Sequence, residues 1–202
     1  LIEGRPILPG SGVRGALRSH AERIARTLAT AAAGTEDAFL SACPACSPLA
    51  RPSHTRPYAP LQACDTLLNA LPEKERKRIT DDGSEEENLC LACRLFGSTW
   101  LGSRLLMEDA PLKENTEPVY KVQDFLAIDR FTGGGRDGAK FDAVVLWQPS
   151  FTARLRLENP ADWELGWLAL VLRDLAEGWL TLGFGRAKGF GQVIVPRWTV
   201  HM

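Results

Sequence analysis

Gly183-Phe184-Gly185-Arg186-Ala187-Lys188-Gly189-Phe190-Gly191 is the stretch on which the reading of this chain turns. Its glycines alternate with aromatic and cationic residues, between an apolar helical pattern and an apolar strand pattern. Glycine lets a backbone take positive φ and lie close to a ligand with its N–H groups unshielded. Arg186 and Lys188 add charge suited to phosphate. Such a loop can grip a polyanion by its main chain. The plainer alternative is a turn that joins helix to strand.

Working outward, Leu165, Leu168, Leu172 and Leu175 form the stripe of an amphipathic helix before the loop. Asn159-Pro160 reads as its N-cap and first position, and Gly178 as its stop. Gln192 to Val200 reads as a closing strand. Upstream, Phe151 to Leu157 alternates as a half-buried strand, and Val119–Ala127 with Phe141–Trp147 flank the turn-rich tip 129–138 of a long hairpin. Arg104 to Asp109 is a short strand. Ser11 is placed as the N-cap of a helix running to about Ala33, with Val13, Leu17, Ile24 and Leu28 on its core face. Arg14 and Arg18 stand one turn apart near the start of that helix, where the dipole is already positive and an anion would be welcome. The order predicts an α+β domain of ferredoxin-like β-α-β-β-α-β type over residues 1–202, with the first strand partly or wholly missing and an insertion at 34–96.

Composition fits a globular protein: 202 residues, 45% hydrophobic. A formal net charge of −1 excludes a uniformly basic nucleic-acid binder, so any such site must be local. No apolar run approaches the ~20 residues of a membrane span, and no signal-peptide pattern is present. The first residues read as chain interior, as in a piece of something longer.

The insertion loses periodicity and is rich in proline and charge, so a cross-link is expected to hold it. Cys43-Pro-Ala-Cys46 and Cys90-Leu-Ala-Cys93 have the gap that lets paired thiolates reach one tetrahedral ion. Four sulfurs leave no open position for water, which makes the expected zinc structural. Two unrelated dithiols are the alternative. Cys64 and His54 lie between the pairs and could replace a ligand, although Cys64 also suits a small buried residue. Cysteine used in this way favours a reducing cytoplasm. His20 and His201 show no recognisable partner in the sequence, and no nucleophilic catalytic set is visible.

Four segments, in order, resemble one family. Pro9-Gly10-Ser11-Gly12-Val13-Arg14-Gly15-Ala16-Leu17-Arg18 is similar to the opening helix of the RAMP superfamily, the backbone subunits of type III CRISPR effector complexes. Cys90-Leu-Ala-Cys93-Arg-Leu-Phe-Gly resembles the metal-bearing insertion of that family. Ile128-Asp129-Arg130-Phe131-Thr132-Gly133 with Gly138-Ala139-Lys140-Phe141-Asp142 resembles its thumb hairpin, here 118–147. Residues 182–191 resemble its C-terminal glycine-rich loop. Gly12 stands where the family has a second serine, and Arg14 where it has lysine.

The resemblance implies a module that holds CRISPR guide RNA and positions target RNA for metal-dependent endonucleolytic cleavage in antiviral defence. Neighbouring RAMP subunits or repeats are its implied partners, with no membrane involved. Ser11, Arg14, Arg18, Gly183, Gly185, Arg186, Lys188, Gly189 and Gly191 would hold guide phosphates. Arg130, Phe131 and Thr132 would act at the thumb. The catalytic aspartate of the family would precede Leu1, leaving Asp129 and Asp137 as accessory candidates, with Mg²⁺ serving the whole effector. One repeat of a fused single-chain effector fits the same pattern. The alternatives are a non-catalytic structural repeat, and a zinc-stabilised single-strand RNA binder outside CRISPR systems.

Overall fold

The structure, a computed structural model, describes residues 4–35, 44–47 and 62–201. It divides into two compact units, Leu1–Pro9 with Asp109–Arg154, and Gly10–Glu108 with Leu155–Met202.

The second unit is built on helix α1 (Gly10–Ala33). Ser11 therefore lies inside the helix and not at its cap. Val13 and Leu17 are buried, as the periodicity predicts, but the stripe continues through His20, Ala21 and Ala25. Leu28 is exposed. The small alanines let other groups come close: the Trp167 indole N–H donates to the Ala21 carbonyl at 3.1 Å, and Trp167 packs beside Ala25.

The insertion contributes α2 (Cys64–Asn69), α3 (Glu73–Asp82) and α4 (Leu91–Phe96). Strand β2 (Leu105–Met107) follows. The helix before the glycine loop, α5, spans Asp162–Ala176. Its buried residues are Glu164, Leu168, Val171 and Leu175: Leu168 and Leu175 face inward as predicted, while Leu165 is exposed and Leu172 half-buried. Glu164 goes inward because its charge is matched. It accepts from Arg104 at 3.1 Å and from the Ala161 N–H at 2.8 Å. Ala161, not Asn159, is the N-cap; Asn159 takes a positive φ of 43°. Gly178 does end the helix. Its N–H donates to Leu175 and the Trp179 N–H to Asp174, the paired bonds of a Schellman motif.

The first unit holds β1 (Ile7–Leu8) paired with β3 (Ala110–Pro111), and β4 (Tyr120–Ile128) paired with β5 (Gly135–Leu146) in the expected hairpin. Its tip is shorter than predicted because β5 starts at Gly135. Phe125 and Phe141 stack across it at 5.0 Å.

The fold is thus α+β with small sheets. Among the described residues there are three two-stranded sheets, the third pairing β2 with β6 (Leu155–Leu157). The strand expected over 151–157 shrinks to these three residues plus a bridge at Phe151. Residues 192–200 form no strand among the described residues: Val193 and Val195 are half-buried and Ile194 exposed, but no ladder pairs them. No described helix is long and apolar enough to cross a membrane.

Candidate metal centre and nucleic-acid interface

Four cysteines of the second unit converge. The Sγ atoms of Cys46, Cys64, Cys90 and Cys93 all lie within 4.8 Å of one another, with Cys46 and Cys93 at 3.6 Å. A tetrahedral ion with metal–sulfur bonds of about 2.3 Å requires sulfur separations of about 3.8 Å, so the set fits zinc. Backbone donors support it: the Cys46 N–H points to Cys90 Sγ at 3.4 Å and the Cys90 N–H to Cys64 Sγ at 3.3 Å. Leu68, Ile79 and Leu89 bury the cluster in a small core of its own. Cys43 and His54 lie outside the described residues. Cys64 fills the fourth place here, at the first turn of α2, although it belongs to neither Cys-x-x-Cys pair.

The thiols influence one another strongly. Contact with Cys46, then with Cys64 and Cys93, pulls Cys90 well below the ordinary thiol range. The same bonds push Cys93 and Cys64 far up. Cys46 is lowered to about 7, chiefly by its bond to Cys64. Four protons cannot leave together without a cation between the sulfurs.

Helix α1 grips this insertion through residues four apart. Arg14 donates to the Phe96 carbonyl, Arg18 to the Gly97 carbonyl at 2.8 Å and to Cys93 Sγ at 3.3 Å, and Arg26 to the Cys46 carbonyl at 2.5 Å. Buried Glu22 takes Arg18 at 2.8 Å and Arg26 at 3.3 Å. Cations at the carboxyl end of α4 meet unpaired carbonyls there. Burial works against the Arg18 charge, yet Glu22, and Cys93 with it, hold its proton more tightly than usual. Arg14 is lowered by burial, then by Arg18. The two arginines expected at phosphate are therefore turned toward the insertion.

Another stripe of α1 faces the glycine loop. Ser19, His20, Arg23 and Arg26 line a cavity of about 250 Å³ with Leu180 and Arg186. A second cavity, of about 480 Å³, shares His20 and Arg23 and adds Arg173, Asp174, Glu177 and Trp179. The Arg186 side chain makes no hydrogen bond or ion pair among the described residues, and it is exposed. Arg23 donates to His20 Nδ1, so His20 carries its proton on Nε2 and gives it to Asp174 at 2.7 Å. The sequence gives neither His20 nor Arg23 a partner; the available signal is their spacing of three residues on α1, with Arg23 one turn from Ser19.

The loop itself is closed. The Leu182 N–H donates to the Gly191 carbonyl at 2.8 Å, and Arg186–Lys188 forms a single 3₁₀ turn between Gly185 and Gly189 in left-handed conformation. Lys188 lies over the Phe184 ring. Gly183 also has positive φ.

At the hairpin tip, Asp129 Oδ1 accepts the N–H groups of Phe131 at 2.8 Å and Thr132 at 3.0 Å. These bonds hold its carboxyl below the usual range, the Thr132 bond first. Phe131 is fully exposed, and Arg130, Thr132 and Asp137 are exposed beside it.

A family model for the RAMP superfamily matches residues 1–194, and the chain belongs to that superfamily. Membership carries CRISPR-associated RNA binding, with RNA and other CRISPR-associated subunits as partners. No curated protein matches the chain closely.

Proposed function

We propose that this chain is a guide-RNA-holding backbone module of a type III CRISPR effector, as a separate subunit or as one repeat of a fused chain, working in the cytoplasm. The observation that carries this reading is the basic groove in which exposed Arg186 of the glycine loop meets Arg23 of α1. In a chain of net charge −1, this is the local positive site that phosphate binding needs. The guide backbone would run along the groove, with Gly183, Gly185 and Gly191 offering main-chain donors, Gly189 shaping the turn, Lys188 adding charge, and Ser11 further along α1. On this reading the β2–β6 pair and the helices α1 and α5 are the described part of a ferredoxin-like core, and the cysteine cluster holds structural zinc.

Target RNA would lie against the hairpin, with Arg130, Phe131 and Thr132 acting as the wedge that splays it. Mg²⁺ would serve cleavage by the whole effector. Asp129 favours a narrower role for this module: its carboxylate is engaged in building the tip, which suits a repeat that positions target without cutting it. Asp137 is the remaining accessory candidate.

Titration of single-stranded RNA across a salt series tests the groove. Arg23→Ala and Arg186→Ala should each weaken binding alike for all sequences. Each should also reduce the slope of log K against log salt by about 0.7 for every phosphate that the variant no longer neutralises. Altered sequence preference with an unchanged slope would contradict the assignment.

A further inference from the structure

Arg18 is the one side chain outside the cysteine cluster that donates to a cluster sulfur among the described residues. Its guanidinium is fixed from three sides, by Cys93 Sγ at 3.3 Å, the Gly97 carbonyl at 2.8 Å and Glu22 Oε1 at 2.8 Å. Glu22 is itself buried and held by Arg26, which also grips the Cys46 carbonyl. The group cannot swing away without breaking this set.

A divalent ion on four thiolates leaves two negative charges in a half-apolar core, and buried charge needs a partner. We infer that Arg18 is the charge-balancing partner of the cysteine metal site, donating to Cys93 Sγ and thereby coupling metal occupancy to helix α1. The inference rests on the reading of the cluster as a metal site. It makes Arg18 a positioning residue for the metal, not a phosphate contact. It also gives the insertion a physical link to the opposite stripe of α1, where Ser19, His20 and Arg23 line the groove.

The test uses the whole chain with Co²⁺ as a spectroscopic stand-in for zinc, and a chelator competition with Zn²⁺. Arg18→Gln should lower metal affinity about 10–100-fold, the usual range for partners that orient or tune a ligand. It should also move the sulfur-to-cobalt charge-transfer band to lower energy, because Cys93 becomes a stronger electron donor without its hydrogen bond. Arg18→Lys should recover part of both effects and serves as the folded variant if Arg18→Gln unfolds. Arg14→Ala removes a clamp on the Phe96 carbonyl that does not reach sulfur, so its band should stay in place. Equal effects of Arg14→Ala and Arg18→Gln, or an unshifted band with near-native affinity in Arg18→Gln, would overturn the inference. A wild-type chain that takes up no cobalt or zinc would instead remove the metal reading on which it stands.

Discussion

A side chain at Gly191 would place its Cβ 1.8 Å from the Leu182 carbonyl oxygen, at a position whose φ is +75°. Gly183 has a similar φ, +76°, but open space around it. Comparing the two separates conformational cost from collision. Gly183→Ala should cost about 1–3 kcal/mol, the penalty of left-handed backbone for a non-glycine residue. Gly191→Ala should cost more, because the loop must also open; thermal unfolding of both variants measures the gap. His20 and Asp174 offer a second test at this scale. The Asp174 carboxyl sits below its usual range, first because His20 donates to it and then because Arg173 does. A lowered folded-state value means that the ionised group stabilises the fold above the ordinary value of about 3.9. That stabilisation is lost as pH falls through the lowered value. Urea unfolding should therefore show wild type more stable than Asp174→Asn at pH 6, with the difference shrinking as pH falls through the lowered value of Asp174.

Among the elements, the zinc-type insertion makes the sharpest prediction. Cys64→Ser should abolish uptake of one metal per chain and leave α2 to α4 open to protease. Structural zinc contributes on the order of 10 kcal/mol in small peptides, so the loss should be plain in elemental analysis and limited proteolysis. Full metal content in Cys64→Ser would return the fourth place to another ligand. The Cys-x-x-Cys spacing made the metal chemistry legible, but spacing cannot rank a solitary cysteine. Cys64 is brought in by the start of α2 and by the Cys90 N–H that points to its sulfur. Helix α5 is legible in its extent, its stop at Gly178 and the burial of Leu168 and Leu175, whereas Glu164 and Val171 take the inward places expected for Leu165 and Leu172. A glutamate does not look buried until Arg104 is seen beside it. The closing strand at 192–200 failed for a different reason. Alternation records which faces are apolar, whereas a strand also needs a neighbour's hydrogen-bonding edge.

At the scale of the molecule, α1 organises the second unit by presenting two stripes with different tasks. Arg14, Arg18, Glu22 and Arg26 fasten the insertion; Ser19, His20 and Arg23 face the glycine loop. The sequence made the helix and its arginines visible as cationic, but which stripe each occupied depended on where the insertion packs. The family was legible from the order of four segments, and the match over residues 1–194 agrees with it. The proposed groove places RNA between α1 and the glycine loop. Photo-crosslinking of 4-thiouridine-substituted single-stranded RNA to the chain, with the attached peptides identified by mass spectrometry, tests it directly. Crosslinks should concentrate in residues 16–26 and 179–191 and fall sharply in the Arg23→Ala, Arg186→Ala double variant. Efficient crosslinking that avoids both segments, or that the double variant leaves unchanged, would contradict the account.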